Sequence, residues 1–138
     1  MPAEVVAGHQ ETLEGGIESA RMIQAAGGTL GLGGDYGFAW NPHGDYAKEL
    51  SFFVDEVGFS PMETLVCGTR NGAKILGTDA DVGTLETGKL ADVLVVDGDV
   101  LADISILQDR SRLLAVLQGG TLKAGTLAPN RPTVVPAP

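Results

Sequence analysis

Apolar positions along the chain fall first at helical spacing, then in short runs, and the switch comes near Thr78. Leu13, Ile17, Ala20 and Ile23 make one stripe from Thr12 onward, with Glu14, Glu18 and Arg21 off it, which predicts a helix to Ala26. Gly15 and Gly16 weaken its first turn by about 1 kcal/mol each relative to alanine, and Gly27-Gly28 supplies the stop. Thr29–Gly34 is an apolar, Gly-rich run that predicts a short buried strand, and Asp35 follows it directly. A loop, Tyr36–Asp45, carries Trp40, Asn41, Pro42 and His43. Tyr46–Val57 returns to helical spacing through Leu50, Phe53, Val54 and Val57, and Gly58 closes it. The next helix has a complete start: Ser60 as N-cap, Pro61 as first helical residue and Glu63 closing an S-x-x-E capping box. Its stripe runs Met62, Leu65, Val66, Thr69, Ala73, Leu76, and Gly77 ends it.

Beyond Thr78 the glycines multiply at 83, 88, 98 and 119–120. Asp92–Asp97 is an apolar strand between acids, and its four consecutive Val/Leu residues predict that both faces are covered. Leu113–Leu117 and Thr121-Leu122 around Gly119-Gly120 predict a hairpin. The pattern therefore divides the chain into an α/β part (1–77), a β-rich part (78–128) and a proline-rich irregular tail (129–138). The first part has one clear strand against three helices. One strand cannot satisfy its own backbone, so that part is incomplete as a domain.

Composition narrows the function. At 138 residues and 43% hydrophobic the chain can bury a core. A formal charge of −9 argues against nucleic acid and anionic membranes as partners. Residues 1–11 lack a signal-peptide pattern, and no apolar run reaches membrane-spanning length. The single cysteine, Cys67, cannot form an internal disulfide, which suits a reducing, cytoplasmic setting. With no histidine near it in sequence, Cys67 reads as a packed thiol. His9 reads as surface. Gly31, Gly33, Gly34 and Gly37 mimic a dinucleotide fingerprint, but no helix follows them directly, so a nucleotide site is rejected.

Asp35 has two readings from the residues alone. It caps the following turn, or it is an acid delivered by a strand to an active-site loop, where α/β enzymes place catalytic groups. His43 is either a substrate contact or an exposed loop residue. Tyr36 and Trp40 are either pocket wall or packing. Arg70 and Asn71 read as helix-surface or barrel-end contacts, and Asp79, Asp81 and Asp92 as turn formers.

G-T-L-E-T-G-K-L-A-D-V-L-V-V-D (Gly83–Asp97) resembles the C-terminal signature of the amidohydrolase superfamily. The resemblance extends upstream to S-P-M-E-T-L-V-C-G-T-R-N-G-A-K-I-L-G (Ser60–Gly77) and to A-G-G-T-L-G-L-G-G-D (Ala26–Asp35), which is similar to the last barrel strand with its acid. Downstream, V-L-Q-G-G-T-L (Val116–Leu122) resembles the closing hairpin. Within the superfamily the chain is most similar to imidazolonepropionase-like and Xaa-Pro-dipeptidase-like hydrolases.

The resemblance implies an α/β fold: the last βα units of a TIM-like (β/α)8 barrel plus the C-terminal strands of a small β-sandwich. It implies that Asp35 ligates a divalent metal, zinc, of which a complete enzyme holds one or two, and accepts the proton of the attacking water. It also implies a small-molecule amide as substrate and a C–N bond as the one cleaved. The departures are equally clear. The family's His-x-His strand, its carboxylated lysine and its two later histidines have no counterpart, and neither do the first sandwich strands. Three readings therefore stand. The chain is the C-terminal portion of an amidohydrolase, an assembly module without catalysis, or a folded fragment. In each it is expected to associate with itself or with a complementary N-terminal chain, because Leu50, Phe53, Val54, Leu65 and Val66 would otherwise lie open. Alone it is expected to bind no metal stably and to hydrolyse nothing.

Overall fold

A computed structural model describes residues 3–39 and 41–127. The expected tail, 129–138, and the candidate pocket residue Trp40 lie outside them. Helix α1, Ala3–Ala25, starts nine residues before the sequence pattern does. No proline or capping residue interrupts residues 3–11, and the helix runs on through Gly8, Gly15 and Gly16, with the Thr12 and Ser19 hydroxyls donating back to the carbonyls of Gly8 and Gly15. Its end is the expected one, with Gly28 N–H on Ile23 O and Gly27 N–H on Gln24 O. Only part of the expected stripe is covered: Ile17 and Ala20 pack on the core, while Leu13 and Ile23 are exposed.

Helix α2, Lys48–Phe52, widens into a π turn, Phe53–Val57. Helix α3, Pro61–Val66, widens likewise through Cys67–Asn71 before the short α4, Gly72–Ile75. Neither widening shows in the hydrophobic spacing. The capping box is present in full: Ser60 N–H donates to Glu63 Oε2 at 2.8 Å, and Glu63 N–H to Ser60 Oγ at 3.3 Å. Val57, Phe59 and Cys67 form the core of this part, with Ile17, Ala20, Leu30, Leu32, Phe52 and Phe53 against it. Phe53 and Phe59 meet edge to face at 5.6 Å. Cys67 is buried as expected, and burial pushes its thiol up. Leu50, Phe53, Val54, Leu65 and Val66 are half-buried rather than open. The exposed apolar residues of these helices are instead Met62, Ile75 and Leu76, the last at 77%.

Thr29–Gly34 corrects the expected strand. The segment runs without regular secondary structure and joins no ladder among the described residues. A strand exists only through its neighbours, and here side chains take their place, as described below.

The β-rich part holds one antiparallel sheet in the order β1 (Val93–Val96), β2 (Leu113–Gln118), β3 (Thr121–Gly125). Val93 pairs Leu117 and Val95 pairs Ala115, with an irregularity before Val96–Leu113. Gly119 and Gly120, at φ +55° and +75°, make the two-residue hairpin turn that demands positive φ at both positions. The signature residues knit this part together. Lys89 Nζ donates to Asp79 O at 2.8 Å and Thr84 Oγ1 at 2.6 Å, and Asp92 Oδ1 accepts Gly119 N–H at 2.7 Å. Asp92 is thus a turn former, as read. The expectation that both faces of Val93–Val96 are covered is corrected: Leu94 is 46% exposed, because beside it the sheet meets an open groove rather than a packed layer.

Candidate functional site

Asp35 ends the apolar run with φ +48°, the one non-glycine residue at positive φ among the described residues. Aspartate tolerates this region better than most, but it marks a backbone held by its surroundings. Three side chains do the holding. Asn71 Nδ2 donates to Leu30 O at 2.8 Å, and Gly33 N–H donates to Glu49 Oε1 at 2.8 Å. Asn41 Nδ2 donates to Gly34 O and, at 3.4 Å, to Asp35 O. Helix α2, the end of the α3 π turn and the following loop therefore each pin one point of Leu30–Asp35. The Asp35 carboxylate itself is exposed and accepts no hydrogen bond from the described residues.

The loop folds back on itself through Gly37 N–H to Asn41 O, 2.9 Å, and Asn41 N–H to Phe38 O, 3.0 Å. That brings Tyr36 and His43 onto one residue, Tyr46. The Tyr36 hydroxyl donates to Tyr46 O at 3.2 Å, and the two rings stand edge to face at 4.7 Å. His43 Nδ1 lies 3.2 Å from Tyr46 Oη. Burial, then the nearby Glu49 and Asp45 carboxylates, push the Tyr36 phenol up, so it stays a protonated donor at neutral pH.

Tyr36 and His43 are thus brought together, whereas neither hydrogen-bonds the Asp35 carboxylate. Sequence reading missed Glu49 and Tyr46 and gave Asn41 no role. The available signal was physical: an extended segment without a strand beside it needs polar side chains at hand, and Asn41, Glu49 and Asn71, each half-buried, supply them. As a metal centre the arrangement falls short, since no group of three or more His, Cys, Asp or Glu gathers among the described residues. His9 is exposed on α1. Asp35 suits one position of a centre, and these residues supply no other.

A groove of 350 Å³ separates Gly44–Ala47 from the sheet, floored by Leu50, Leu94, Leu107 and Leu113. A second, of 240 Å³, runs between the end of α1 and α3, past Leu30, Phe59 and Met62. Asp35 lines neither.

Comparison with known proteins places the chain. The family model described as "Amidohydrolase family" matches residues 5–123. The imidazolonepropionase of Symbiobacterium thermophilum is 38% identical over 81 residues, covering 56% of this chain and 18% of that protein. The ochratoxinase of Aspergillus niger is 35% identical over 101 residues, 72% of this chain and 20% of that protein. Its crystal structure superposes with a TM-score of 0.80 at 30% identity, covering 91% of this chain and 28% of that one. A Xaa-Pro dipeptidase structure with bound methionine in its active site gives a TM-score of 0.69 at 31% identity, covering 79% of this chain and 25% of that one. The chain therefore spans about a fifth of the length of the curated relatives it matches.

Proposed function

The chain belongs to the amidohydrolase family, and from that membership we propose that it is the C-terminal portion of a metal-dependent hydrolase acting on a C–N bond. The substrate class is a small cyclic amide, imide or peptide-like molecule. In this reading residues 1–77 are the C-terminal part of the barrel, with its last βα units, and residues 78–128 are strands of a small β-sandwich. The observation that carries the proposal is the seating of Asp35: an acid at the end of an apolar run, fixed from three sides, inside a stretch matched by the family model.

A divalent metal, zinc in this reading, supplies a water of pKa about 7 when bound. This chain gives such a centre one ligand, and the remaining ligands come from outside the described residues. Asp35 takes up a proton at its carboxylate oxygen and returns it to the leaving nitrogen. Tyr36 and His43, held on Tyr46, face the substrate, and Trp40 stands in the same loop. The setting proposed is cytoplasmic, and none of the described helices is long and apolar enough to cross a membrane.

The second reading, an assembly module without catalysis, draws on a different observation. Leu76 and Leu85 are 77% and 78% exposed, with Met62, Ile75 and Leu94 also open, which suits a surface that other polypeptide covers. The experiment that separates the two is Asp35→Asn in the complete enzyme, reconstituted with an N-terminal segment carrying the His-x-His strand. The proposal expects turnover of a cyclic-amide and N-acyl amino acid panel to fall at least about 1,000-fold, with the circular dichroism spectrum unchanged. Unchanged turnover removes Asp35 from the chemistry, and no turnover with either form favours the assembly module.

A further inference from the structure

Arg110 lies in the β-rich part, 66 positions along the chain from the loop that it touches. Two short 3₁₀ turns, Ile104–Gln108 and Arg110–Arg112, precede β2, and each is capped the same way. Asp103 Oδ1 accepts Ser105 N–H at 2.9 Å and Ser105 Oγ at 2.6 Å, and Asp109 Oδ1 accepts Ser111 N–H and Oγ at the same distances. The same Asp-x-Ser cap thus closes both turns, and Gln108 Nε2 donates to Ser51 Oγ of α2 at 2.7 Å. Arg110 is the residue between Asp109 and Ser111. Its Nη2 donates to Gly44 O at 2.9 Å.

That bond is the one tether on the main chain of Pro42–Gly44 among the described residues. The chain approaches closely there. Gly44 sits at φ +102°, and a Cβ on it would lie 3.3 Å from Arg110 Nη2. One residue earlier, His43 packs its ring on Gly37, where a Cβ would lie 3.1 Å from Nε2. So His43 is held by Gly37 beneath, by Tyr46 Oη at Nδ1, and through Gly44 by Arg110.

We propose that Arg110 is a positioning residue that sets the orientation of His43 from the β-rich part. It rests on the proposed reading of the Tyr36–Tyr46 loop as substrate-contacting, but its test needs no substrate. The charged donor matters because hydrogen bonds from charged groups are the strong ones. A single Nη2 contact, rather than a two-pronged one, leaves room for lysine to substitute in part.

The experiment is imidazole and amide NMR on the full 138-residue chain, as wild type, Arg110→Gln and Arg110→Lys. His9, exposed on α1, is the internal reference. Arg110→Gln is expected to move the His43 ring nitrogens toward the His9 pattern, and to speed exchange at the Gly37 and Asn41 amides about tenfold. Arg110→Lys is expected to fall between, with the β2 amides unchanged in both. Unmoved His43 signals and loop exchange in Arg110→Gln overturn the proposal. So does acceleration spread equally over β2 and α3, which would make Arg110 a general structural residue. Lysine and glutamine variants that behave alike overturn it too. Loss of turnover in Asp35→Asn bears on the catalytic reading alone, so the two failures are told apart.

Discussion

Residues 78–127 close most of their hydrogen bonds among themselves, whereas Leu30–Asp35 in the first part leans on Asn41, Glu49 and Asn71. The β-rich part has a ladder, two capped turns and the Lys89 and Asp92 knots. The helical part has a small core around Val57, Phe59 and Cys67, and an extended segment without a neighbouring strand. The difference teaches where order originates. In the sheet it is main chain to main chain, repeated along the ladder from Val93–Leu117 to Gln118–Thr121. At Asp35 it is side chain to main chain, and so depends on single residues.

The comparison breaks most readily in the core. Phe59→Ala removes a 4% exposed ring packed edge to face against Phe53 and is expected to cost about 3–5 kcal/mol, enough to melt the helical part. Urea unfolding followed by near-UV signal measures it, while amide exchange in β2 reports whether the sheet survives.

The next effect sharpens the contrast directly. Asn71→Ala strips Leu30 O of its donor and is expected to cost about 1–3 kcal/mol. Asp92→Ala, which removes one acceptor from a hairpin that keeps its ladder, is expected to cost about 1 kcal/mol. Equal costs by chemical denaturation would erase the difference between the two parts.

That difference is also what the sequence could and could not reveal. The capping box at Ser60–Glu63, the stop at Gly27-Gly28 and the Gly119-Gly120 turn are local devices, and each stands where the residues put it. The family is legible through the Gly83–Asp97 signature, from which the role of Asp35 is proposed, and the signature's own residues turn out to be structural knots. What was not legible depends on partners far along the chain. Thr29–Gly34 reads as a strand because its residues are apolar, yet a ladder needs a neighbour. Glu49 reads as a helix-surface acid because nothing local says that Gly33 N–H is waiting for it.

A smaller effect is set by pH. The Ser60 hydroxyl and N–H hold the Glu63 carboxyl below its ordinary range. A depressed folded value stabilises the protein above the unfolded glutamate pKa of about 4.3, and the gain is lost as pH falls through the folded value. Ser60→Ala is therefore expected to cost about 1 kcal/mol at pH 7 and distinctly less near pH 3, read as the difference in urea midpoints. Smallest is Thr64→Val. Thr64 Oγ1 is fully buried with no partner among the described residues, so its removal is expected to be neutral or stabilising by up to about 1 kcal/mol in the same assay.

The most direct measurement is metal content and turnover of the 138-residue chain, alone and reconstituted with an N-terminal segment bearing the His-x-His strand. One carboxylate cannot replace the three protein ligands that zinc sites of this kind use. The chain alone is expected to carry no stoichiometric metal by mass spectrometry and to leave cyclic amides and N-acyl amino acids intact. The reconstituted form is expected to bind one or two metals per pair and to hydrolyse a member of the panel. Tightly bound stoichiometric metal with turnover by the isolated chain, or an inert metal-free pair, would contradict the assignment of Asp35 to a shared metal site.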